Sequence, residues 1–215
     1  MTYSQYGQDE IVDSILKEKT NGVYVDIGAH DGVSFSNSYF FEEERDWTGV
    51  CFEPNPEVFK QLSASRMSSK DCHLVNAGVG IIDGTMSFCK CTGSTEMLSG
   101  FIDLYDVRHL QRIDNEIALN GGSRELIDVK VVRLNEYLSG IGINHIDYLS
   151  IDTEGGEQEI LESIDFSKIS VSVVSVENNY GSPNMRTYME SNGFRMHTVV
   201  SCDELYINTQ IFIEK

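Results

Sequence analysis

Residues Val25 to Gly32 read VDIGAHDG, and this stretch indicates how the chain folds. Its first residues belong to an apolar segment, Val23–Ile27, that has the length and composition of a buried strand. Gly28 and Gly32 then permit a tight turn, which we expect to lead into a helix whose free N–H groups can receive an anionic group. The turn is either a binding loop for a nucleotide-like ligand or a plain connection between a strand and a helix.

Short apolar runs alternate with stretches of helical spacing along the rest of the chain, which is typical of a parallel sheet with helices on its faces. Further buried strands are expected at Val50–Glu53, His73–Asn76, Tyr148–Asp152 and Val171–Glu177. Helices are expected at Asp9–Lys17, Glu57–Ser63, Leu134–Leu138, Glu157–Ile164 and Asn184–Ser191. We therefore predict an α/β fold with a doubly wound, mostly parallel sheet.

The C-terminal part departs from this alternation. Phe194–Val200 and Leu205–Ile213 are separated by a connection too short for a crossover helix, so they are expected to form an antiparallel hairpin that closes the sheet. Thr85–Lys90 and Asp128–Val132 resemble extra strands. Ser99–Asn120 has helical spacing and is either a lid over the site or a cover for the sheet. We expect one domain, residues 1–215, with an insertion around 94–122.

The composition narrows the classes of function. The chain has 215 residues with 16 Lys+Arg and 34 Asp+Glu, a formal charge of −18, which opposes general binding to nucleic acid or to an anionic membrane. We find no apolar run of the ~18 residues that a membrane span needs, and the first residues are polar, so we expect a cytoplasmic protein. The five cysteines are expected to be reduced.

Two further strand ends carry groups that suit a nucleoside. Glu53 ends the second strand some twenty residues after the glycine turn, where a carboxylate can accept both ribose hydroxyl groups. Pro54 fixes the turn beyond it, and Asn55 offers an amide at the same edge. Asn76 and Ala77 end the third strand and could face a purine ring. Ligands of open α/β sheets bind at the carboxyl ends of the strands, so the three ends support one another.

The charge of this expected pocket indicates the ligand. Asp26, Asp31 and Glu53 would repel a pyrophosphate but suit a ligand with a sulfonium and an ammonium group. His30 and Asp31 also stand where a dinucleotide-binding G-x-G-x-x-G loop needs small residues. The residues therefore favour S-adenosylmethionine as the cofactor.

Several segments in order along the chain resemble the FkbM-type methyltransferases, S-adenosylmethionine-dependent enzymes that mostly methylate hydroxyl groups of sugars and other natural products. They are YSQYGQDE (Tyr3–Glu10), VDIGAHDG, GVCFEPNPEVFKQL (Gly49–Leu62), NAGVG (Asn76–Gly80) and SIDTEGGEQEIL (Ser150–Leu161). The resemblance implies a seven-stranded, Rossmann-like class I methyltransferase fold.

The resemblance also implies roles for individual residues. The implied cofactor contacts are Asp26, Gly28, Ala29, Gly32, Glu53, Pro54, Asn55, Asn76 and Ala77. Ser34, Ser36 and Asn37 lie where the family usually holds the methionine carboxylate, and Gln8 and Asp9 would close over the cofactor from the N-terminal helix.

The acceptor side is expected at the next two strand ends. Asp152, Glu177 and Asn178 offer three oxygen ligands, which suits Mg²⁺ or another divalent cation; alternatively, Asp152 contacts the cofactor while the other two bind sugar hydroxyl groups without metal. Asp152 and Glu154 are the candidate catalytic residues. Glu154 is preferred as general base, because Glu157 should begin a helix and favour its dipole.

The sequence thus predicts an S-adenosylmethionine-dependent O-methyltransferase that acts on a hydroxyl group of a sugar, a glycan or a related small metabolite. Two alternatives remain open at this point. One is a nicotinamide-dependent oxidoreductase, and the other is a non-catalytic binding module that keeps the fold.

Overall fold

The computed structural model of the protein describes residues 2–66 and 72–212. Its strands are β1 (Val23–Ile27), β2 (Thr48–Phe52), β3 (Cys72–Val75), β4 (Gly78–Val79), β5 (Gly84–Thr92), β6 (Gly100–Phe101), β7 (Ser123–Val132), β8 (His145–Ile151), β9 (Ser170–Glu177), β10 (Phe194–Val200) and β11 (Asp203–Asn208). Its α-helices are α1 (Gln8–Ile15), α2 (Tyr39–Arg45), α3 (Pro56–Ser65), α4 (Val107–Asn120), α5 (Leu134–Gly140), α6 (Glu157–Ser163) and α7 (Pro183–Ser191).

Seven strands form the main sheet in the spatial order β10-β11-β9-β8-β1-β2-β3. The pairs β1–β2, β1–β8, β2–β3 and β8–β9 are parallel, and β11 is antiparallel to both β9 and β10. The central strands are buried along nearly their whole length because helices cover both faces of the sheet. The predicted α/β fold, with its seven-stranded, mostly parallel sheet and C-terminal antiparallel hairpin, is confirmed.

The hairpin differs from its prediction in one strand. β10 has the predicted bounds, whereas β11 begins at Asp203, two residues before the prediction, because Asp203 already pairs with Glu177 of β9. β11 ends at Asn208, and Ile213, the predicted end of this strand, lies outside the described residues.

Four further strands form a second sheet in the order β4-β7-β5-β6, of which only β6 lies within the predicted insertion at 94–122. Both predicted extra strands are present and longer than expected, as β5 and β7. The helix predicted over Ser99–Asn120 starts only at Val107, because Gly100–Phe101 pairs with β5 and the Asp106 carboxylate accepts the N–H of Arg108 at 2.8 Å and caps the helix there. Two 3₁₀ segments, Gly93–Leu98 and Ile102–Leu104, precede it.

The helix expected directly after the glycine turn also begins later, at Tyr39. Asp31 accepts hydrogen bonds from the backbone N–H groups of Val33 and Ser34, at 2.9 and 2.7 Å, and thereby closes a local turn. Phe35 then takes a left-handed conformation with φ 57°, which excludes a continuous helix. The free N–H groups of α2 therefore lie several residues away from the turn.

None of the described helices combines the length and the hydrophobicity that a bilayer span requires.

Candidate active site

A cavity of about 310 Å³ opens at the carboxyl ends of β1, β2, β8 and β9, and the insertion supplies much of its remaining wall. The main sheet and the loops after its strands contribute Ile27, Gly28, His30, Phe52, Glu53, Pro54, Asn55, Asp152, Thr153, Glu154 and Glu177. Residues before and within the second sheet contribute Ala77, Gly78 and Phe88, and the insertion contributes, among others, Glu96, Leu98, Phe101, Arg112 and Glu116. The described lining residues thus include six carboxyl side chains and one arginine, and this excess of acidic groups favours a cationic ligand.

Gly28 holds the floor of this cavity in a conformation that a larger residue cannot adopt. Its φ is 91°, and a Cβ atom at this position would lie 1.7 Å from the carbonyl oxygen of Asp152. The N–H of Asp152 in turn donates to the carbonyl of Ile27 at 3.0 Å. The ends of β1 and β8 therefore approach each other as closely as backbone atoms allow, and only glycine fits.

Glu53 presents its carboxylate to the cavity from the end of β2. One oxygen accepts the N–H of Asn55 at 2.7 Å and the other accepts the N–H of His30 at 3.1 Å. The residue is 6% exposed, and burial raises its pKa to about 8 although both hydrogen bonds act in the opposite direction. When ionised, the carboxylate has about four acceptor sites, so each oxygen can accept one further hydrogen bond beside those from Asn55 and His30.

The neighbouring part of the cavity has small and apolar residues. Ala77 lines it, and a Cβ atom on Gly78 would lie 2.3 Å from the ring of Phe101, so the glycine lets this ring pack against β4. Asn76, by contrast, is exposed and does not line the cavity. Its amide donates to the carbonyl groups of Glu53, at 2.8 Å, and Pro54, at 3.3 Å, so it braces the turn after β2.

Five other predicted cofactor residues do not line the cavity. They are Asp26, Ala29, Gly32, Ser36 and Asn37. With their hydrogen-bond partners they form what we call the lower layer. The Asp26 carboxylate accepts the hydroxyl of Ser38 at 2.6 Å, and burial raises the pKa of Asp26. The Asn37 amide donates to the hydroxyl of Ser150 at 3.1 Å, while its carbonyl oxygen has no partner among the described residues.

Arg66 organises this lower layer from the end of α3. Its guanidinium, 2% exposed as a residue, donates to the Gly32 carbonyl at 2.8 Å and to the hydroxyls of Ser36 and Ser38, each at 3.2 Å. It also pairs with Glu42. The layer therefore fixes the loop after the glycine turn and places a positive charge near Asp26.

Three carboxyl groups gather on the other side of the cavity, at the ends of β8 and β9. Burial raises the pKa of Asp152, and the charge of Glu154 raises it further. Burial and Asp152 raise the pKa of Glu177 to about 12. Burial also raises the pKa of Glu154, to about 7, against the opposing effect of Arg112. Burial and mutual repulsion therefore favour the protonated forms of Asp152 and Glu177 near neutral pH, while the pKa of Glu154 lies close to neutrality.

Glu154 is held at the cavity wall by an unusual backbone conformation, with φ 58°. Its carboxylate lies 3.7 Å from Nη1 of Arg112, 3.7 Å from Nδ1 of His109 and 3.4 Å from the amide of Asn179. Its loop is organised by Glu157, whose carboxylate accepts N–H groups of Thr153 and Gly155 at 3.0 and 2.9 Å. Glu157 thus has a structural task and Glu154 faces the cavity.

The structure brings together only two of the three predicted metal ligands. Asp152 and Glu177 both line the cavity, but Asn178 does not. Its amide nitrogen donates to Glu204 at 2.8 Å, and its amide oxygen accepts the N–H of Ser182 at 2.7 Å. The hydrogen bonds of Asn178 therefore stabilise the loop after β9.

The N-terminal segment contributes residues that sequence reasoning missed. Gln5 and Tyr6 line the cavity, whereas Gln8 donates to Asp203 and Asp9 accepts the N–H of Tyr3 at 2.7 Å. The motif Tyr3–Glu10, which contains these four residues, indicated that the segment belongs to the site, but it did not indicate which of its side chains face the cavity. The cavity residues of the insertion had no such signal, because residues 94–122 contain none of the segments that resemble the family.

Comparisons with known proteins add the family. Residues 26–196 match the family described as Methyltransferase FkbM domain. Similar solved structures include an FkbM methyltransferase from Methylobacillus flagellatus, at 15% identity and a TM-score of 0.49 over 87% of this chain and 43% of that longer chain. No curated protein sequence matches the chain.

Two further solved structures are similar at lower identity. A precorrin-6y C5,15-methyltransferase from Geobacter metallireducens has 11% identity and a TM-score of 0.48, over 93% of this chain and 86% of that one. TrmK from M. capricolum, in complex with S-adenosyl-homocysteine, has 12% identity and a TM-score of 0.43, over 92% of this chain and 66% of that one. The family match covers most of the chain, and the sheet order and cavity agree with it, so this protein belongs to the FkbM family of S-adenosylmethionine-dependent methyltransferases.

Proposed function

We propose that this protein transfers a methyl group from S-adenosylmethionine to a hydroxyl group of a sugar, a glycan or a related small metabolite. One observation carries the proposal. A single cavity joins a nucleoside-type carboxyl group, Glu53, to an acidic cluster formed by the half-buried Asp152 and Glu154 and the buried Glu177. The first can hold the ribose, and the second can receive a cationic group and a proton.

The residues present fit this cofactor. Glu53 keeps free acceptor sites for both ribose hydroxyl groups, and Ala77 and Pro54 offer a narrow apolar wall beside it. The excess of carboxyl groups in the lining favours a sulfonium and an ammonium group over a phosphate. When bound, S-adenosylmethionine supplies an electrophilic methyl group, and the electron pair of the broken carbon–sulfur bond stays on sulfur.

Glu154 is the general base of this proposal. An acceptor hydroxyl must lose its proton as its oxygen gains the methyl group, and a carboxyl group with a pKa of about 7 is well matched to take that proton near neutral pH. Its carboxylate faces the cavity beside Arg112 and Asn179, which limit its movement. Asp152 lies two residues before Glu154 at the same end of β8 and would help to position the reacting groups.

An Mg²⁺ ion held by Asp152, Glu177 and Asn178 does not fit this geometry. Both polar atoms of the Asn178 amide are engaged by Ser182 and Glu204, so the third oxygen ligand faces away from the other two. The proposed reaction therefore uses no ion at these three residues.

The acceptor of this proposal is a small molecule and not a nucleic acid. The acid-rich lining and the formal charge of −18 would repel a phosphate backbone. Tyr6, 49% exposed at the cavity wall, offers an aromatic face of the kind that packs against sugar rings, and Asn179 offers an amide.

Calorimetry with S-adenosylhomocysteine tests the cofactor half of the proposal. We expect saturable binding to the unmodified protein and a loss of at least tenfold in affinity, about 1.4 kcal/mol, for Glu53→Gln, since the amide removes one acceptor from the ribose. Glu43→Gln is the matched control, because Glu43 is an exposed carboxylate of α2 remote from the cavity lining.

An absence of binding heat with both S-adenosylmethionine and S-adenosylhomocysteine would contradict the proposal. Thermal shifts with NAD address the nicotinamide alternative, for which the family gives no basis. The non-catalytic alternative gains support if S-adenosylmethionine binds but Asp152→Asn and Glu154→Gln leave every methylated product of a metabolite screen unchanged.

A further inference from the structure

Three side chains at the tips of β9 and β11 form a cluster to which the proposed reaction assigns no task as a group. They are Glu177, Cys202 and Asp203, and their ligand-type atoms all lie within 4.8 Å of one another. Glu177 and Asp203 are direct partners in the antiparallel pairing of the two strands, which places their side chains on the same face of the sheet. Strand register therefore creates the cluster.

The distances within this cluster are close to those of a metal site. The Cys202 sulfur lies 3.9 Å from a carboxylate oxygen of Glu177 and 3.9 Å from one of Asp203. A tetrahedral zinc ion, with bonds of about 2.3 Å to sulfur and about 2.1 Å to oxygen, separates these ligand atoms by about 3.6 Å. The oxygens of Glu177 and Asp203 lie within 4.8 Å of each other, so side-chain rotations would close the remaining differences when an ion binds.

Hydrogen bonding alone leaves this cluster incomplete. A thiol has one S–H, so Cys202 can donate to Glu177 or to Asp203 but not to both. Glu177 is only 9% exposed, lines the cavity, and receives no hydrogen bond from a nitrogen or an oxygen within residues 2–66 and 72–212. The oxygens of this buried carboxyl group therefore have no nitrogen or oxygen donor in these ranges, and a cation would satisfy them.

Neighbouring residues already orient the ligands. The Gln8 amide donates to one oxygen of Asp203 and leaves the other facing Cys202. The N–H of Asn178 donates to the carbonyl of Cys202 at 2.9 Å and holds the loop that carries the thiol. Side chains that bind a metal typically make a second contact of this kind with a neighbouring group, and that contact fixes their orientation.

The donor set selects the ion. One thiolate and two carboxylates suit a borderline ion such as Zn²⁺, whereas Mg²⁺ and Ca²⁺ take oxygen ligands only. Because Glu177 and Cys202 line the cavity, the fourth coordination position would be open to it, as in catalytic zinc sites. We propose that Glu177, Cys202 and Asp203 bind one Zn²⁺ ion whose open position faces the acceptor end of the cavity.

Binding would release the thiol proton of Cys202 to solvent, together with any proton held by the carboxyl groups of Glu177 and Asp203. A role in orienting and polarising an acceptor hydroxyl rests on the function proposed above, whereas the binding itself does not.

Cobalt substitution tests the site directly. Tag-free, full-length protein, stripped of metal, is titrated with Co²⁺ as a spectroscopic probe and then with Zn²⁺. We expect one Co²⁺ per chain, a thiolate-to-cobalt charge-transfer band, and loss of that band as Zn²⁺ displaces cobalt. Cys202→Ser should abolish the band, whereas Cys72→Ser, at a second half-buried cysteine, should keep it.

Glu177→Gln and Asp203→Asn provide a second measurement that does not need the cysteine variant to fold. Each should weaken Zn²⁺ binding more than about tenfold in calorimetry, since even second partners of metal ligands contribute that much. Failure of the intact protein to bind Co²⁺ and Zn²⁺ would overturn the site, as would a charge-transfer band that survives in Cys202→Ser. If S-adenosylhomocysteine binds and Zn²⁺ does not, only the zinc site is lost; with the reverse result, the proposed function is lost and the zinc site stands.

Discussion

The two halves of the cavity are built in different ways. The half that we propose for the cofactor, called the cofactor half, consists mainly of loops that directly follow β1 and β2, two neighbouring parallel strands that end at one edge of the sheet. The half that we propose for the acceptor, called the acceptor half, draws on β8, β9, the insertion and the loop before β11, which are far apart in the chain. Local turns therefore set the positions of side chains in the cofactor half, whereas packing between distant segments sets them in the acceptor half.

Glu154→Gln should have the largest effect and should separate the two halves. With any acceptor that the unmodified protein methylates, we expect kcat to fall about 10²- to 10⁴-fold, because the amide cannot take the proton. Binding of S-adenosylhomocysteine should stay within about twofold, a change of only ~0.4 kcal/mol, because Glu154 belongs to the acceptor half. Rate measurements and calorimetry on the same preparation check both expectations.

Glu159→Gln is the control for that variant, since Glu159 is an exposed carboxylate of α6 outside the cavity lining. Full turnover in Glu154→Gln would mean that another group accepts the proton, and loss of cofactor affinity would mean that the halves are not separable.

Gly28→Ala should have the next largest effect, because the backbone of the cofactor half, at the end of β1, contacts that of the acceptor half, at the end of β8, at Gly28. The new methyl group meets the Asp152 carbonyl, and a φ of 91° adds strain, so we expect a loss of about 2–4 kcal/mol in the free energy of unfolding. Urea unfolding measures this loss. Gly142→Ala, with φ 81° and no atom within 4 Å of the new Cβ, should lose only about 1–2 kcal/mol. Equal losses in both variants would show that backbone conformation alone requires the glycine.

A smaller effect should appear in the pH dependence of stability and belongs to the cofactor half. Glu53 keeps its proton up to about pH 8 in the folded protein, against an ordinary pKa of 4.5. Between these values the folded state binds more protons than the unfolded state, so the free energy of unfolding falls as pH rises.

From about pH 5 to about pH 8 we expect the ligand-free protein to lose at least about 1 kcal/mol more stability than Glu53→Gln does. Urea unfolding at the two pH values measures this difference, and Glu43→Gln should behave like the unmodified protein. A Glu53→Gln variant with the same pH dependence as the unmodified protein would show that Glu53 is ionised when buried.

The contrast between the halves also explains which site residues could be predicted. Gly28 and Glu53 follow strands at places where the α/β fold always brings ligand groups together, so spacing along the chain was enough. Asn76 and Asn178 occupy equally suitable places, yet their amides bind neighbouring backbone and side-chain groups. Sequence position cannot show which partner a flexible amide takes, because that choice depends on atoms from other segments.

Arg112 and Cys202 illustrate the opposite case. Neither stands at a recognisable motif, and both reach the cavity because the insertion and the β9–β11 pairing place them there.

Hydrophobic periodicity by itself determined the order of strands and helices, because buried strands need continuous apolar runs, and the glycine turn with its following acid indicated the strand ends at which the cavity lies. Only the tertiary structure decided that Asp26 lies under the cavity with Ser38, that α4 supplies an arginine to its wall, and that Glu177 meets Cys202 and Asp203. The physical reason is that strand register and side-chain packing act between residues distant in the chain, and a pattern of neighbours does not encode those distances.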